Sequence, residues 1–142
     1  MQTFMVSWYP PETAQVLDYK RLGKQHVECK QILNVLTGVR TGWKSHPAVR
    51  MWQGYEGDLC DYAIEMCKEW LRRGYKDTLL EYFLEKRDDL VDLGIERSAP
   101  PHLFDNPELY ASHRSNLLRK DPDHYGQFGW SEPNTLPYVW PV

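Results

Sequence analysis

At 142 residues the chain has the length of one ordinary domain, and six Trp with a 42% apolar share can fill a core. Its net charge of −3 argues against an indiscriminate nucleic-acid binder, since such chains are usually basic. No apolar run is long enough to span a bilayer, and the N-terminus lacks a basic leader, so no membrane contact and a cytoplasmic location are expected.

Residues 3–8 alternate weakly and read as a short extended arm. Pro10-Pro11 ends it and sets up a short helix from about Glu12. A main helix is expected from about Leu22 to Thr37, with Gly38 just past its end. After a loop carrying Gly42 and Trp43, Ser45 or His46 caps a helix with Pro47 at its first position. Val49, Trp52, Glu56, Leu59, Ala63, Met66 and Trp70 then recur every three or four residues. That spacing predicts one longest, central helix, stopped by Arg72-Arg73-Gly74, with Gly54 and Gly57 allowing a bend. A third helix is expected from Leu79 to about Leu93, and a fourth from Glu108 to about Arg119. From Tyr125 to Val142, five aromatics and three prolines predict an irregular coat over the helices. The fold class is all-α: a single helical domain with an irregular, aromatic-rich C-terminal segment.

Charge is unevenly placed. Residues 20–50 carry seven Lys/Arg and one acid, Glu28, while residues 77–96 carry seven acids, from Asp77 to Glu96, against Lys86 and Arg87. Such a split can present one basic and one acidic surface. In the main helix Arg21, Lys24, Gln25 and Glu28 fall at i, i+3, i+4 and i+7, on one face. Cationic and amide groups around one carboxylate suit a phosphate-bearing ligand with an acid/base group beside it. The plainer reading is a basic surface helix with Glu28 paired to Lys24.

Two further segments compete for attention. His46 and Arg50 lie one turn apart at a helix start, where free N–H groups suit an anion; equally, His46 is only a cap. In Ser112–Lys120, His113, Arg114 and Lys120 can point outward as phosphate contacts, or form an unpartnered charged helix end. Tyr125 and Trp130 are the tail aromatics best placed to stack on an extruded base, although such residues more often cover a core. No phosphate-binding Gly-rich loop, serine-hydrolase elbow or zinc-protease motif occurs, and the five His show no ligand spacing. Cys29, Cys60 and Cys67, odd in number and without a Cys-x-x-Cys, read as reduced, mostly buried thiols. No metal and no cofactor is expected.

The order of helices resembles the phage-type pyrimidine-dimer DNA glycosylases, in an uncharacterised bacterial and phage branch. The branch is marked by Met-Gln-Thr-Phe at 1–4, Arg-Leu-Gly-Lys-Gln at 21–25, and Gly-Trp-x-x-His-Pro-Ala-Val-Arg-Met-Trp at 42–52. Ser-His-Arg-x-x-Leu-x-x-Lys-x-Pro-x-x-Tyr at 112–125 and Pro-Tyr-Val-Trp-Pro at 137–141 complete it. Likeness to the characterised enzymes rests on helix order, Tyr19-Lys20-x-Leu22-x-Lys24, and the ending Leu71-Arg72-Arg73-Gly74-Tyr75. The resemblance implies attack by an N-terminal α-amine on the sugar C1′ of a damaged nucleotide, an imine, and strand cleavage by β-elimination. A glutamate on the first long helix assists, and basic side chains grip a duplex from which one base is flipped. Two departures stand out. The family's glutamate position is Arg21 here, and the nearest carboxylate, Glu28, lies two turns along, about 10 Å at 1.5 Å per residue. The bulky Gln2 normally keeps the initiator Met, so the amine would be that of Met1.

Met1, Arg21 and Glu28 are therefore the catalytic candidates. Lys20, Lys24, Gln25, His46, Arg50, His113, Arg114, Lys120, Tyr125 and Trp130 are the binding candidates. The expected partner is duplex DNA with a damaged or modified base. The alternative is a non-catalytic pocket for a nucleotide or other small phosphorylated ligand.

Overall fold

Pro10 opens the first helix, α1 (Pro10–Val16), where its missing N–H costs nothing. Asp18 then caps α2 (Tyr19–Leu36) by accepting from the Arg21 N–H at 3.4 Å. The computed structural model describes residues 1–94 and 100–142; Glu96, part of the expected acidic run, lies outside them. Among the described residues the chain forms seven α-helices and no strand. No described helix is long and apolar enough to cross a membrane.

The expected longest helix is two helices. α3 (Pro47–Arg50) is capped by His46, whose Nδ1 accepts from the Ala48 N–H at 3.0 Å. The backbone then turns, and Gly54 takes φ = 85°, a left-handed value that a right-handed helix cannot contain. α4 (Glu56–Arg72) starts afresh after Tyr55. The apolar spacing ran unbroken across this turn because Met51 and Trp52 are buried too. α4 packs against α1, α2 and α5 (Leu80–Asp92) and buries Leu59, Ala63, Ile64 and Met66 at the centre. The exposed face of α5 carries Glu81, Glu85, Asp88, Asp89 and Asp92. α6 (Pro107–Lys120) and the short α7 (Pro122–Tyr125) follow, then a 3-10 turn at Gly126–Phe128.

Both ends of the chain are pinned. The N-terminal arm, expected to be extended over residues 3–8, has no regular structure and bends at residues 6–8; it is buried over residues 2–6, and its amides bond to side chains rather than to a neighbouring strand. Phe4 N–H donates to Gln25 Oε1 at 3.0 Å, Met5 N–H to His113 Nδ1 at 2.8 Å, and Val6 N–H to Thr13 Oγ1 at 3.0 Å. The Phe4 and Val6 carbonyls accept from the Tyr62 hydroxyl and the Arg114 guanidinium. Chain ends usually fray; four helices, α1, α2, α4 and α6, satisfy this one's backbone group by group.

The C-terminal coat is held by the polar face of α6. Ser112, Ser115, Asn116 and Arg119 recur at i, i+3, i+4 and i+7 and bond to the backbone of residues 133–139. Arg114 adds an ion pair to Glu132 at 2.5 Å.

Candidate functional site

Where the two pinned ends meet α2 there is a cleft of about 570 Å³. Met1, Gln2 and Phe4 line one side, Lys20, Arg21, Lys24 and Glu28 of α2 another, and Lys120, Tyr138 and Trp140 close it. An adjoining hollow of about 540 Å³ shares Lys20, Arg21 and Lys120. The basic segments at 20–50 and 110–120 thus meet in space, across a distance of about a hundred residues in sequence.

Among the described residues Glu28 is the one carboxylate lining the cleft. Its Oε2 receives the Gln2 N–H at a long 3.4 Å. Burial pushes its carboxyl above the ordinary glutamate value, partly offset by that N–H and by the positive charges of the N-terminus and Lys24. The N-terminal arm thus lies against Glu28, two turns along α2 from Arg21.

Arg21 is oriented from behind. Its Nη1 donates to Asp18 Oδ1 at 3.1 Å. Burial raises the Asp18 carboxyl, but the Tyr125 hydroxyl and Arg21 more than offset that, and its pKa lies below the usual value. Lys20, Lys24 and Lys120 are exposed on the cleft's rim. Among the described residues no ion pair joins Lys24 to Glu28.

Several candidates stand outside the cleft. Gln25 is buried beneath it and clamps the arm: besides accepting from Phe4, its Nε2 donates to the Gln2 carbonyl at 2.6 Å. His113 does not point outward. It is fully buried, receives the Met5 N–H, and burial pushes its imidazole down to about 3. Arg114 is turned inward too, onto Glu132 and the Val6 carbonyl. Polar residues in Ser112–Arg119 that suggested phosphate contacts are occupied by the chain's own backbone. Tyr125 is fully buried, bonded through its hydroxyl to Asp18, and Trp130 stacks on it at 5.7 Å and on Phe128 at 5.4 Å. His46 sits edge-on to Trp140 at 6.0 Å, beside the cleft, while Arg50 is exposed one turn further on.

Tyr138 and Trp140 are the cleft's aromatic residues beside Phe4, and Tyr125 and Trp130 had drawn attention away from them. Their alternation in Tyr138-Val139-Trp140 was the available signal, since an extended chain puts i and i+2 on one side. Trp43, exposed and left-handed at φ = 69°, stands edge-on to His46 and extends this aromatic side outward.

A search of curated proteins and of solved structures gives no match. The sequence profile of one family does match, over residues 1–82, a stretch that holds Met1, Lys20, Arg21, Lys24 and Glu28. That stretch is more than half of the chain, and with it the chain belongs to the pyrimidine dimer DNA glycosylase family.

Proposed function

We propose that residues 1–142 act as one domain, a DNA glycosylase with AP-lyase activity on a flipped, damaged or modified base. The observation that carries this reading is the pinning of Met1 beside Glu28 in a cleft rimmed by Lys20, Arg21, Lys24 and Lys120.

The α-amine of Met1 is the nucleophile. Its nitrogen bonds to the sugar C1′, the C1′–base bond breaks, and the base departs with a proton. Loss of a second proton from the amine and opening of the sugar ring give an imine. Removal of a C2′ proton then expels the 3′ phosphate by β-elimination. Glu28 is the acid/base group: a raised pKa brings its carboxylate and carboxylic-acid forms closer to equal population near neutral pH. Arg21 and the three lysines hold the phosphates on either side of the sugar. Tyr138 and Trp140 offer faces to the extruded base, and Trp43 to the gap it leaves.

Borohydride trapping on UV-irradiated and on abasic duplex DNA tests this. A covalent band lost on blocking the N-terminal amine is expected. No band on either substrate, with Met1 intact by mass, overturns the amine mechanism.

The cleft's volume, within the usual range for small-molecule sites, favours a second reading, a pocket for one nucleotide. A duplex-gripping protein loses affinity steeply with salt, whereas a single-nucleotide pocket neutralises few phosphates.

A further inference from the structure

His26 of α2, Cys67 of α4 and Asp77 of the α4–α5 connection converge on one point beneath the surface. One ligand-type atom from each lies within 4.8 Å of the other two. The His26 and Asp77 side chains are 9% and 0% exposed, and Cys67 is fully buried. No spacing in the sequence announces this trio, because each residue comes from a different element.

The trio is poorly satisfied as it stands. Asp77 uses Oδ2 to accept the Leu80 N–H at 2.7 Å, which starts α5. Its Oδ1 is buried without a conventional hydrogen-bond partner. What faces that oxygen is the Cys67 thiol, a weak donor, and His26 Nε2 at 3.8 Å, too far for a hydrogen bond. His26 Nδ1 is turned toward the Leu22 carbonyl one turn back without a well-formed bond. A buried carboxylate oxygen served only by a weak thiol donor is costly, and a cation is what its surroundings lack.

The spacing suits a metal better than it suits hydrogen bonds. Two ligands bound to a tetrahedral zinc at 2.0–2.3 Å stand roughly 3.3–3.7 Å apart. We propose that His26 Nε2, Cys67 Sγ and Asp77 Oδ1 form a binding site for one borderline-soft divalent cation, Zn²⁺ by ligand type, with water in the fourth position. Nitrogen, sulfur and oxygen donors together select zinc-like ions over Mg²⁺ or Ca²⁺, which prefer oxygen alone. Burial pushes His26 below its ordinary value, so the imidazole is neutral and Nε2 can offer a lone pair. Burial and Asp77 push the Cys67 thiol up. Binding therefore displaces a proton: the S–H bond breaks, an S–metal bond forms, and the proton leaves to solvent.

The site is structural in placement. His26 lies on a different face of α2 from Arg21, Lys24 and Glu28, so the ion sits outside the cleft. Trp70 covers the His26 ring at 5.8 Å, is stacked on Tyr75 at 4.1 Å, and donates its indole N–H to the Lys76 carbonyl. An ion here would clamp α2, the end of α4 and the start of α5 under that lid.

Co²⁺ titration of the untagged, metal-stripped chain tests the proposal. Saturation at one equivalent is expected, with a near-ultraviolet thiolate-to-cobalt band and strong visible bands, both erased by one equivalent of Zn²⁺. The thiolate band is lost in Cys67→Ser and kept in Cys60→Ser. Asp77→Asn, which keeps an acceptor for the Leu80 amide, weakens Zn²⁺ binding at least about tenfold. A wild-type chain that gives no thiolate band overturns the site, whatever the variants' fold. So does a band that survives Cys67→Ser, or a Zn²⁺ affinity unchanged in Asp77→Asn.

Discussion

Gln25 holds Phe4 by its backbone: the side-chain Oε1 takes the Phe4 amide at 3.0 Å while Nε2 reaches the carbonyl two residues earlier. One side chain thus replaces the neighbour that an extended strand would have. Gln25→Ala leaves a buried donor and a buried acceptor unpaired, at about 1–3 kcal/mol each. A loss of ~2–6 kcal/mol in urea unfolding is expected. Borohydride trapping should fall further than the folded fraction does, because the surviving fold no longer fixes Met1. Trapping that tracks the folded fraction alone would show that the clamp has no positioning role.

Glu28 is expected to oppose stability where it serves chemistry. Its folded pKa is raised, so the native state holds a proton that the unfolded chain has released. Stability therefore falls as pH rises from the ordinary glutamate value to the raised one. Glu28→Gln removes that slope and keeps an oxygen for the Gln2 N–H. Its midpoint in thermal unfolding at neutral pH should match or exceed that of the parent, while turnover drops by about 10²–10⁴-fold. A variant that is both destabilised and active would contradict the assignment.

His113 gives the opposite pH signature. Its folded value of about 3 lies below the ordinary 6.5, so the unfolded chain binds a proton that the native state refuses. Stability should fall as pH drops from about 6.5 toward 3, by about 1.4 kcal/mol per unit for this residue, with His26 acting in the same direction. His113→Asn, which can still accept the Met5 amide, should flatten that slope in urea melts at pH 5 and 7.

Gly23 is in α2 with its α-carbon against Trp70: an added Cβ would come within 2.9 Å of the indole. Helix propensity favours Ala there by about 1 kcal/mol, but overpacking costs about 1–3. The indole is pinned by Tyr75 and Lys76, so the clash should win. Gly23→Ala is expected to lower Tm with a net loss of about 1 kcal/mol. A stabilised variant would mean that Trp70 yields freely.

Lys20, Lys24 and Lys120 should each act as a phosphate contact without base preference. Alanine at any one is expected to weaken duplex binding on all sequences and reduce the salt slope by about 1. Lys30, whose ammonium lies over the Tyr82 ring at 5.0 Å, is the matched control and should leave the slope unchanged.

Helix α2 and its cleft-lining face were legible because period 3.6 separates Arg21, Lys24 and Glu28 from Leu22, Cys29 and Leu33. α6 was equally visible as a helix, yet its polar face was misread. Ser115 and Asn116 partner a backbone some twenty residues away, and a polar side chain carries no mark of whether it bonds to a ligand or to its own chain. The break at Gly54 was hidden for a related reason: burial continued through the turn, so the apolar pattern did too. Met1's place beside Glu28 was illegible, since it depends on Gln25, His113 and Thr13 converging on one arm.

The stitches on that arm span almost the entire chain: Met5 and His113 are 108 positions apart, as are Val6 and Arg114. Such contacts close very large loops, and their entropic cost falls due before any reward arrives. The cleft is therefore expected to close late, after α1, α2 and α4 have packed. A partly folded species would not hold Met1, Glu28 and the basic rim together in one cleft. Completion of the cleft is, in this topology, tied to completion of the fold.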